Sequence, residues 1–216
     1  MNSNDKRRIM TKAGSATSAA GYAEAWGDLE QVVDQSAERI KNEYASSEER
    51  IRSARYRPDE QRKQLTEARA SAADRLQTLR TDYQTTREDL LSTAVHRAFS
   101  SGSLIGSDAV NRRDAIMKAA SVEGPGEAQE MLGRALRADD GELVAALARE
   151  AFQQGWWKVI SQIGAEGTPA HQRGAETLSW AAEIHQHIQT TKFRFFDSAR
   201  FSPPGVEGTG GVARAG

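Results

Sequence analysis

The sequence contains no cysteine and no long apolar run, and each absence excludes a class of protein. Without cysteine the chain can form no disulfide and no thiolate nucleophile, and any metal site would need histidine and carboxylate ligands. No apolar run approaches the roughly 20 residues of a membrane-spanning helix, and the N-terminus lacks the apolar stretch of a secretory signal. We therefore expect a soluble protein, with no membrane partner, that is cytoplasmic on synthesis.

Aromatic residues are also scarce, and neither sign of charge is in clear excess. Aromatic residues make up 6% and apolar residues 38% of the 216 residues, while 29 basic and 30 acidic side chains leave a net charge of -1. The low apolar content indicates that much of the chain lies at a surface, and interspersed charges are typical of solvated helical faces. Nucleic-acid binding, which needs clustered positive charge, is therefore not the expected function.

What the sequence does contain is a helical repeat over residues 19–99. Apolar and small residues recur every three or four positions on both sides of Pro58, which is the spacing of a coiled-coil seam. Proline suits the first turn of a helix and disfavours helical geometry in the residue before it. We predict two long helices that turn near residues 56–60 and form an antiparallel coiled-coil hairpin.

The seam of this hairpin is rich in alanine and serine, so it buries little apolar area by itself. We expect something else to cover it, either the C-terminal helices or a second copy of the chain. A homo-oligomer is therefore predicted. The seam residues assigned to self-association are Leu29, Val33, Ile40, Leu76 and Leu79.

The rest of the chain is predicted as a small helical bundle between flexible segments. Residues 100–107 are rich in serine and glycine and form a linker, whereas residues 108–201 form four or five shorter helices, the last of which runs toward Phe196. Residues 1–18 are expected to be a flexible tail, and the Gly/Pro-rich residues 202–216 a disordered one. The predicted fold class is all-α.

Three local signals mark the ends of the shorter helices. Asp108 is placed to cap one helix, and Asp139 with Asp140 forms a capping turn before the next hydrophobic segment. Gly155 lies where a helix commonly ends on a left-handed residue. These signals predict closely spaced helices joined by short turns.

Residues that carry catalysis or bind metal do not form a recognisable pattern. His185 and His187 are two positions apart, so on a helix they point roughly 200° away from each other and cannot share a metal ion. His171 lies further upstream. Phosphate-binding glycine loops and nucleophile motifs are missing as well. We expect no enzyme activity, no cofactor and no metal.

Two aromatic clusters are the most informative candidates for binding. Adjacent tryptophans differ by about 100° around a helix, so one of the pair should lie near a surface. The two clusters either pack on each other or form a protein-binding surface, where aromatic residues are enriched. The candidate protein-binding residues are Trp156, Trp157, Phe193, Phe195 and Phe196.

The stretch from Ala138 to Trp157, ADDGELVAALAREAFQQGWW, follows a charged hairpin that turns at Arg57 and Pro58. Across residues 51–163 this pattern resembles helical structural and assembly proteins encoded by actinobacterial phages and prophages. The resemblance implies a virion-associated role, minor capsid-associated or scaffold-like, with capsid, portal or tail proteins as partners. The neutral composition departs from the acidic composition common among scaffolding proteins.

Together these observations predict a non-catalytic structural or assembly protein that self-associates and docks on a larger protein. A cytoplasmic coiled-coil adaptor is the alternative. Another alternative is a nucleic-acid-associated regulatory protein, because aromatic residues interleaved with basic ones, as near Phe193, also suit single-stranded nucleic acid.

Overall fold

The computed structural model describes residues 1–99 and 107–203, and in this part of the chain it contains nine α-helices and no β-strand. The predicted all-α class is confirmed. The predicted linker and C-terminal tail lie outside the described residues, apart from residues 107, 202 and 203. In chain order the helices are α1 Ser3–Ser15, α2 Ala19–Ser53, α3 Pro58–Arg97, α4 Ser107–Ala120, α5 Pro125–Arg137, α6 Gly141–Gln154, α7 Trp157–Glu166, α8 Pro169–Gln189 and α9 Thr191–Arg200.

Helix α1 occupies most of the segment that the sequence predicts as a flexible tail. The Asn2 side chain caps the start of α1, because its Oδ1 accepts a hydrogen bond from the Asp5 amide at 2.8 Å. Ile9 and Ala13, four residues apart, are buried on one face. The segment is therefore helical because one short apolar face is buried. Its Thr-, Ala-, Gly- and Ser-rich composition does not indicate such a face.

The long helices α2 and α3 are separated by a four-residue connection, and α3 begins at Pro58 as the proline predicts. Polar side-chain contacts join the two helices, and partners that come later in α2 come earlier in α3. They include the hydrogen bond from the Tyr83 hydroxyl to Glu30, the 2.7 Å ion pair of Arg75 with Glu43, and the 3.1 Å hydrogen bond from Gln61 to the Ile51 carbonyl.

The described chain divides into two compact units, each built from separated segments. Unit 1 contains Met1–Arg7, Gly27–Arg87 and the described residues from Gln189 onward; unit 2 contains Arg8–Trp26 and the described residues of Glu88–Ile188. Helices α2 and α3 contribute to both units. This division differs from the predicted boundary at residues 100–107, because the end of α3 packs into the core that the shorter helices form.

Helix α6 lies at the centre of unit 2, where it packs against α4, α5 and α7. Its buried residues are 144–148 and 151, and Leu178 of α8 joins the same apolar cluster. The end of α3 approaches α8 so closely that a Cβ added to Gly174 would lie 2.5 Å from the Ala98 carbonyl oxygen. Glycine is therefore needed at this contact.

Two of the predicted turns are confirmed in unit 2. Asp140 caps α6, accepting a hydrogen bond from the Leu143 amide at 3.1 Å, and Asp139 before it has a positive φ of 53°. Gly155 ends α6 in the left-handed region with a φ of 71°. The cap predicted at Asp108 lies outside the described side chains.

The predicted last helix is in fact two helices, α8 and α9. Thr190 between them is extended, with a ψ of 145°, and its hydroxyl accepts a hydrogen bond from the Phe193 amide at 3.1 Å. A threonine hydroxyl that caps a new helix in this way competes with continuation of the old one. The prediction of one helix running toward Phe196 is corrected accordingly.

Candidate functional site

The five aromatic residues predicted to bind a partner fall into the two different units. Trp156 and Trp157 lie in unit 2, whereas Phe193, Phe195 and Phe196 lie on α9 in unit 1.

In unit 2 the two tryptophans differ in exposure, and only Trp157 lies in a helix, because Trp156 is the N-cap residue before α7. Trp156 is partly buried against the apolar core. Trp157 is 41% exposed, and its ring meets Phe152 edge-on at a centroid distance of 5.9 Å. Only Trp157 can offer a substantial aromatic surface.

In unit 1, two of the three phenylalanines of α9 are the most exposed aromatic side chains in the described chain. Phe195 and Phe196 are 69% and 59% exposed, and their rings meet edge-on at 5.9 Å with an interplanar angle of 72°. Phe193, by contrast, is half-buried with the Arg87 guanidinium over its ring. Two of the three predicted phenylalanines thus form a contiguous aromatic surface, which we call the α9 aromatic face.

The opposite side of α9 is anchored within unit 1. Asp197 is buried and lies 3.5 Å from the guanidinium of Arg80. Phe201, just beyond the helix, is also buried and packs against the Tyr83 ring at a centroid distance of 6.0 Å. These contacts hold α9 in one orientation and turn Phe195 and Phe196 outward.

Arg200 is the main polar anchor of α9. Its guanidinium makes 2.8 Å ion pairs with both Glu30 and Asp34 of α2, and it also lies over the ring of Tyr83. Glu30 additionally accepts the hydrogen bond from the Tyr83 hydroxyl. Burial, and then the neighbouring Glu30 carboxylate, raise the pKa of Tyr83, so its hydroxyl keeps the proton that it donates.

These anchoring residues were not predicted as functional from the sequence. Tyr83 appears there only as a member of the apolar repeat, and Arg200 and Glu30 are separated by most of the chain. The one available signal was the tyrosine itself, because a buried tyrosine hydroxyl usually finds a hydrogen-bond partner.

The seam residues predicted to mediate self-association are all buried within a single chain. Their exposed fractions do not exceed 8%, and all five belong to unit 1. They therefore stabilise this unit from within and offer no open surface to a second copy. Self-association through Leu29, Val33, Ile40, Leu76 and Leu79 stays a prediction, which their burial in the single chain does not favour.

Unit 2 contains a cavity of about 810 Å³ that the sequence did not reveal. It lies where the end of α3 meets the beginnings of α6 and α8. Its lining includes Arg97, Phe99, Gly141, Glu142, His171 and Arg173.

Neither a cluster of metal ligands nor a membrane-spanning helix is found in the described residues. No group of three or more histidine, aspartate or glutamate side chains there could hold a metal ion. His185 and His187 are both exposed. Across the same residues, no helix is both long and apolar enough to cross a membrane.

Comparison of the chain with protein-family models, curated proteins and solved structures gives no significant match. The α9 aromatic face and the unit 2 cavity are therefore interpreted from their own geometry.

Proposed function

We propose that the protein is a non-catalytic structural or assembly protein that docks on a larger protein through the α9 aromatic face. The observation that carries this proposal is the exposed pair of Phe195 and Phe196 on a helix whose other side is fixed. Aromatic side chains dominate the binding energy of protein interfaces when they enter a complementary pocket.

The anchoring of α9 favours binding for a thermodynamic reason. A loose segment would lose conformational entropy on docking, which subtracts from the affinity. Here the helix is already held in unit 1 by Asp197, Arg200 and Phe201, so docking loses less conformational entropy. A rigid face of two large apolar rings suits an apolar groove on a folded partner.

We further propose that α2 and α3 form an antiparallel coiled-coil hairpin within unit 1. The opposite order of their contact partners supports the antiparallel direction. The burial of Leu76 and Leu79, three residues apart, supports a continuous seam. In this role the hairpin is a scaffold that positions α9.

The virion-associated part of the proposal rests on the sequence resemblance described above. It proposes a minor capsid-associated or scaffold-like component whose partners are capsid, portal or tail proteins. Self-association, if it accompanies assembly, then uses a surface other than the buried seam residues.

A pull-down from the producing cells, treated with nuclease, tests this function. We expect the chain to retain a partner protein at about 0.5 M salt, where screening removes most phosphate contacts. Replacing both rings, Phe195→Ser with Phe196→Ser, should release the partner. The matched control replaces two exposed apolar residues of α4, Ile116→Ser with Met117→Ser, and should retain it.

The identity of the captured protein separates the two levels of the proposal. Capsid, portal or tail proteins would support the virion role, whereas a cellular protein released by the same double change would support the adaptor alternative. Retention that is unaffected by loss of both phenylalanines would contradict docking through α9. Loss of all binding at about 0.5 M salt would favour nucleic acid instead.

A further inference from the structure

The unit 2 cavity has charged side chains in its lining that form no ion pair within the part of the unit that the structure describes. Arg97 from the end of α3 and Arg173 from α8 both line it, and neither guanidinium forms an ion pair with another described residue. Both arginines are exposed at the cavity and can pair with an anion that enters it. Glu142 adds a carboxylate to the same lining. Burial, and then Arg112, lower the pKa of the half-buried Arg149, and Glu142 opposes that shift.

Two helices begin at the same cavity. Glu142 is the second residue of α6, and Ala170 is the second residue of α8; both line the cavity. Neither backbone amide has a hydrogen-bond partner among the described residues, whereas the neighbouring amides of Leu143 and His171 are capped by Asp140 and Thr168. The uncapped amides and the positive ends of both helix dipoles favour an anion at this place.

His171 also lines the cavity, although the nitrogen that it leaves without a hydrogen-bond partner is buried in the wall and not open to the cavity. Its Nδ1 is buried and has no hydrogen-bond partner, which is uncommon for a buried polar atom. Its Nε2 would lie 3.7 Å from a Cβ placed on Gly141, so the imidazole reaches the start of α6. The Phe99 ring lies beside it at a centroid distance of 6.4 Å.

We propose that this cavity binds a small phosphate-bearing molecule. The phosphate contacts Arg97, Arg173 and the free amides at the starts of α6 and α8, because a phosphate offers enough acceptor oxygens for all of them. The remaining part of the ligand lies against the Phe99 ring and the alanines of the lining. A cavity of about 810 Å³ is in the range of small-molecule sites and holds a ligand of nucleotide size.

Titration calorimetry of the full chain tests the proposal with three probes: inorganic phosphate, adenosine 5′-monophosphate and uncharged adenosine. We expect phosphate to bind weakly, the monophosphate to bind at least about tenfold more tightly than phosphate, and adenosine to bind least. Changing Arg97→Gln or Arg173→Gln should weaken monophosphate binding by about tenfold or more. The control Arg113→Gln alters an exposed arginine of α4 outside the cavity and should leave binding unchanged.

A second readout follows the His171 imidazole by NMR during the phosphate titration. Its signals should shift in the wild-type chain and in Arg113→Gln, and much less in the double variant Arg97→Gln with Arg173→Gln. Circular dichroism confirms that these surface changes leave the helices intact. The proposal is overturned if phosphate and the monophosphate fail to bind, if adenosine binds as tightly as the monophosphate, or if the arginine changes have no effect.

Discussion

At the scale of single residues, Arg200 shows how a few polar contacts can hold an otherwise exposed helix. It is about one-fifth exposed, and its charge is compensated by Glu30 and Asp34 of α2. Burial lowers the pKa of Arg200, but Glu30, Asp34 and Tyr83 raise it overall, so the guanidinium stays charged. A charge in this setting is costly to leave without its partner.

Changing Arg200→Ala should therefore destabilise unit 1 by about 2 kcal/mol. The change removes two ion pairs. Among the described residues, the largely buried Glu30 then keeps only the Tyr83 hydroxyl as a hydrogen-bond partner. Urea unfolding followed by circular dichroism measures the loss. The control Arg194→Ala removes an exposed arginine of the same helix, which contacts Gln189, and should change stability by less than about 0.5 kcal/mol. Equal effects of the two changes would show that the ion pairs of Arg200 do not anchor α9.

His171 predicts a dependence of stability on pH. Burial lowers the pKa of His171, although Asp139 opposes the shift, so the folded state binds a proton less readily than the unfolded chain. Stability should therefore fall as the pH falls from about 6.5 through the lower pKa of the folded state, because the unfolded chain gains the proton first.

Thermal unfolding in phosphate-free buffer at pH values between about 7.5 and 5 measures this dependence. The variant His171→Gln should lose less stability over that interval than the wild-type chain. The exposed His185→Gln serves as the control and should follow the wild type. A steeper loss in His171→Gln than in the wild type would contradict the direction of the shift.

At the scale of elements, the sequence predicts those helices that carry strong local signals. Pro58 marks the start of α3, and Asp140 and Gly155 mark the ends of α6. The sequence misses α1, whose buried face consists of Ile9 and Ala13 only. Such a short stripe gives little periodicity, so its helix depends on tertiary packing that a local pattern does not encode.

The break between α8 and α9 was missed for a different reason. Apolar residues continue at helical spacing across Thr190, and a threonine inside a helix is ordinarily tolerated. Only the extended backbone of Thr190 and its hydrogen bond to the Phe193 amide reveal a cap. The packing of α9 through Asp197 and Phe201 therefore decides whether α8 continues or a new helix begins after Thr190.

Removal of this cap should weaken α9 in a measurable way. Changing Thr190→Ala should cost about 1 kcal/mol, the usual effect of losing an N-cap hydroxyl. Hydrogen exchange at the Phe193 amide should become faster, because this amide loses its acceptor. The control Thr66→Ala removes an exposed hydroxyl that bonds to a carbonyl inside α3 and should cost much less. Unchanged exchange at Phe193 would argue against a capping role.

At the scale of the whole molecule, neither candidate site could be assembled from the sequence. The five predicted aromatic residues form one set by composition, yet contacts place Trp157 in one unit and Phe195 in the other. The cavity combines Arg97, Glu142 and His171 from three separate helices with no characteristic spacing. Such groups meet only because the tertiary fold brings together helix ends that are distant in the chain.

The buried seam leads to a prediction about the whole chain. Changing Leu76→Asp with Leu79→Asp places two carboxylates where both leucines are almost fully buried, and each unpaired buried charge costs several kcal/mol. Because a domain is stable by only about 5 to 15 kcal/mol, unit 1 should unfold. The control, Gln77→Asp with Thr78→Asp, introduces the same charges at exposed neighbouring positions of α3 and should leave the fold intact.

Circular dichroism and light scattering of both variants distinguish packing within one chain from packing between chains. If the seam is internal, as its burial in the single chain indicates, Leu76→Asp with Leu79→Asp loses much of its helical signal and becomes susceptible to protease. If the seam instead joins two copies, the variant keeps its helical signal and only its mass falls. Loss of the helical signal would mean that any self-association uses another surface. Loss of mass alone would mean that these leucines form the contact between copies.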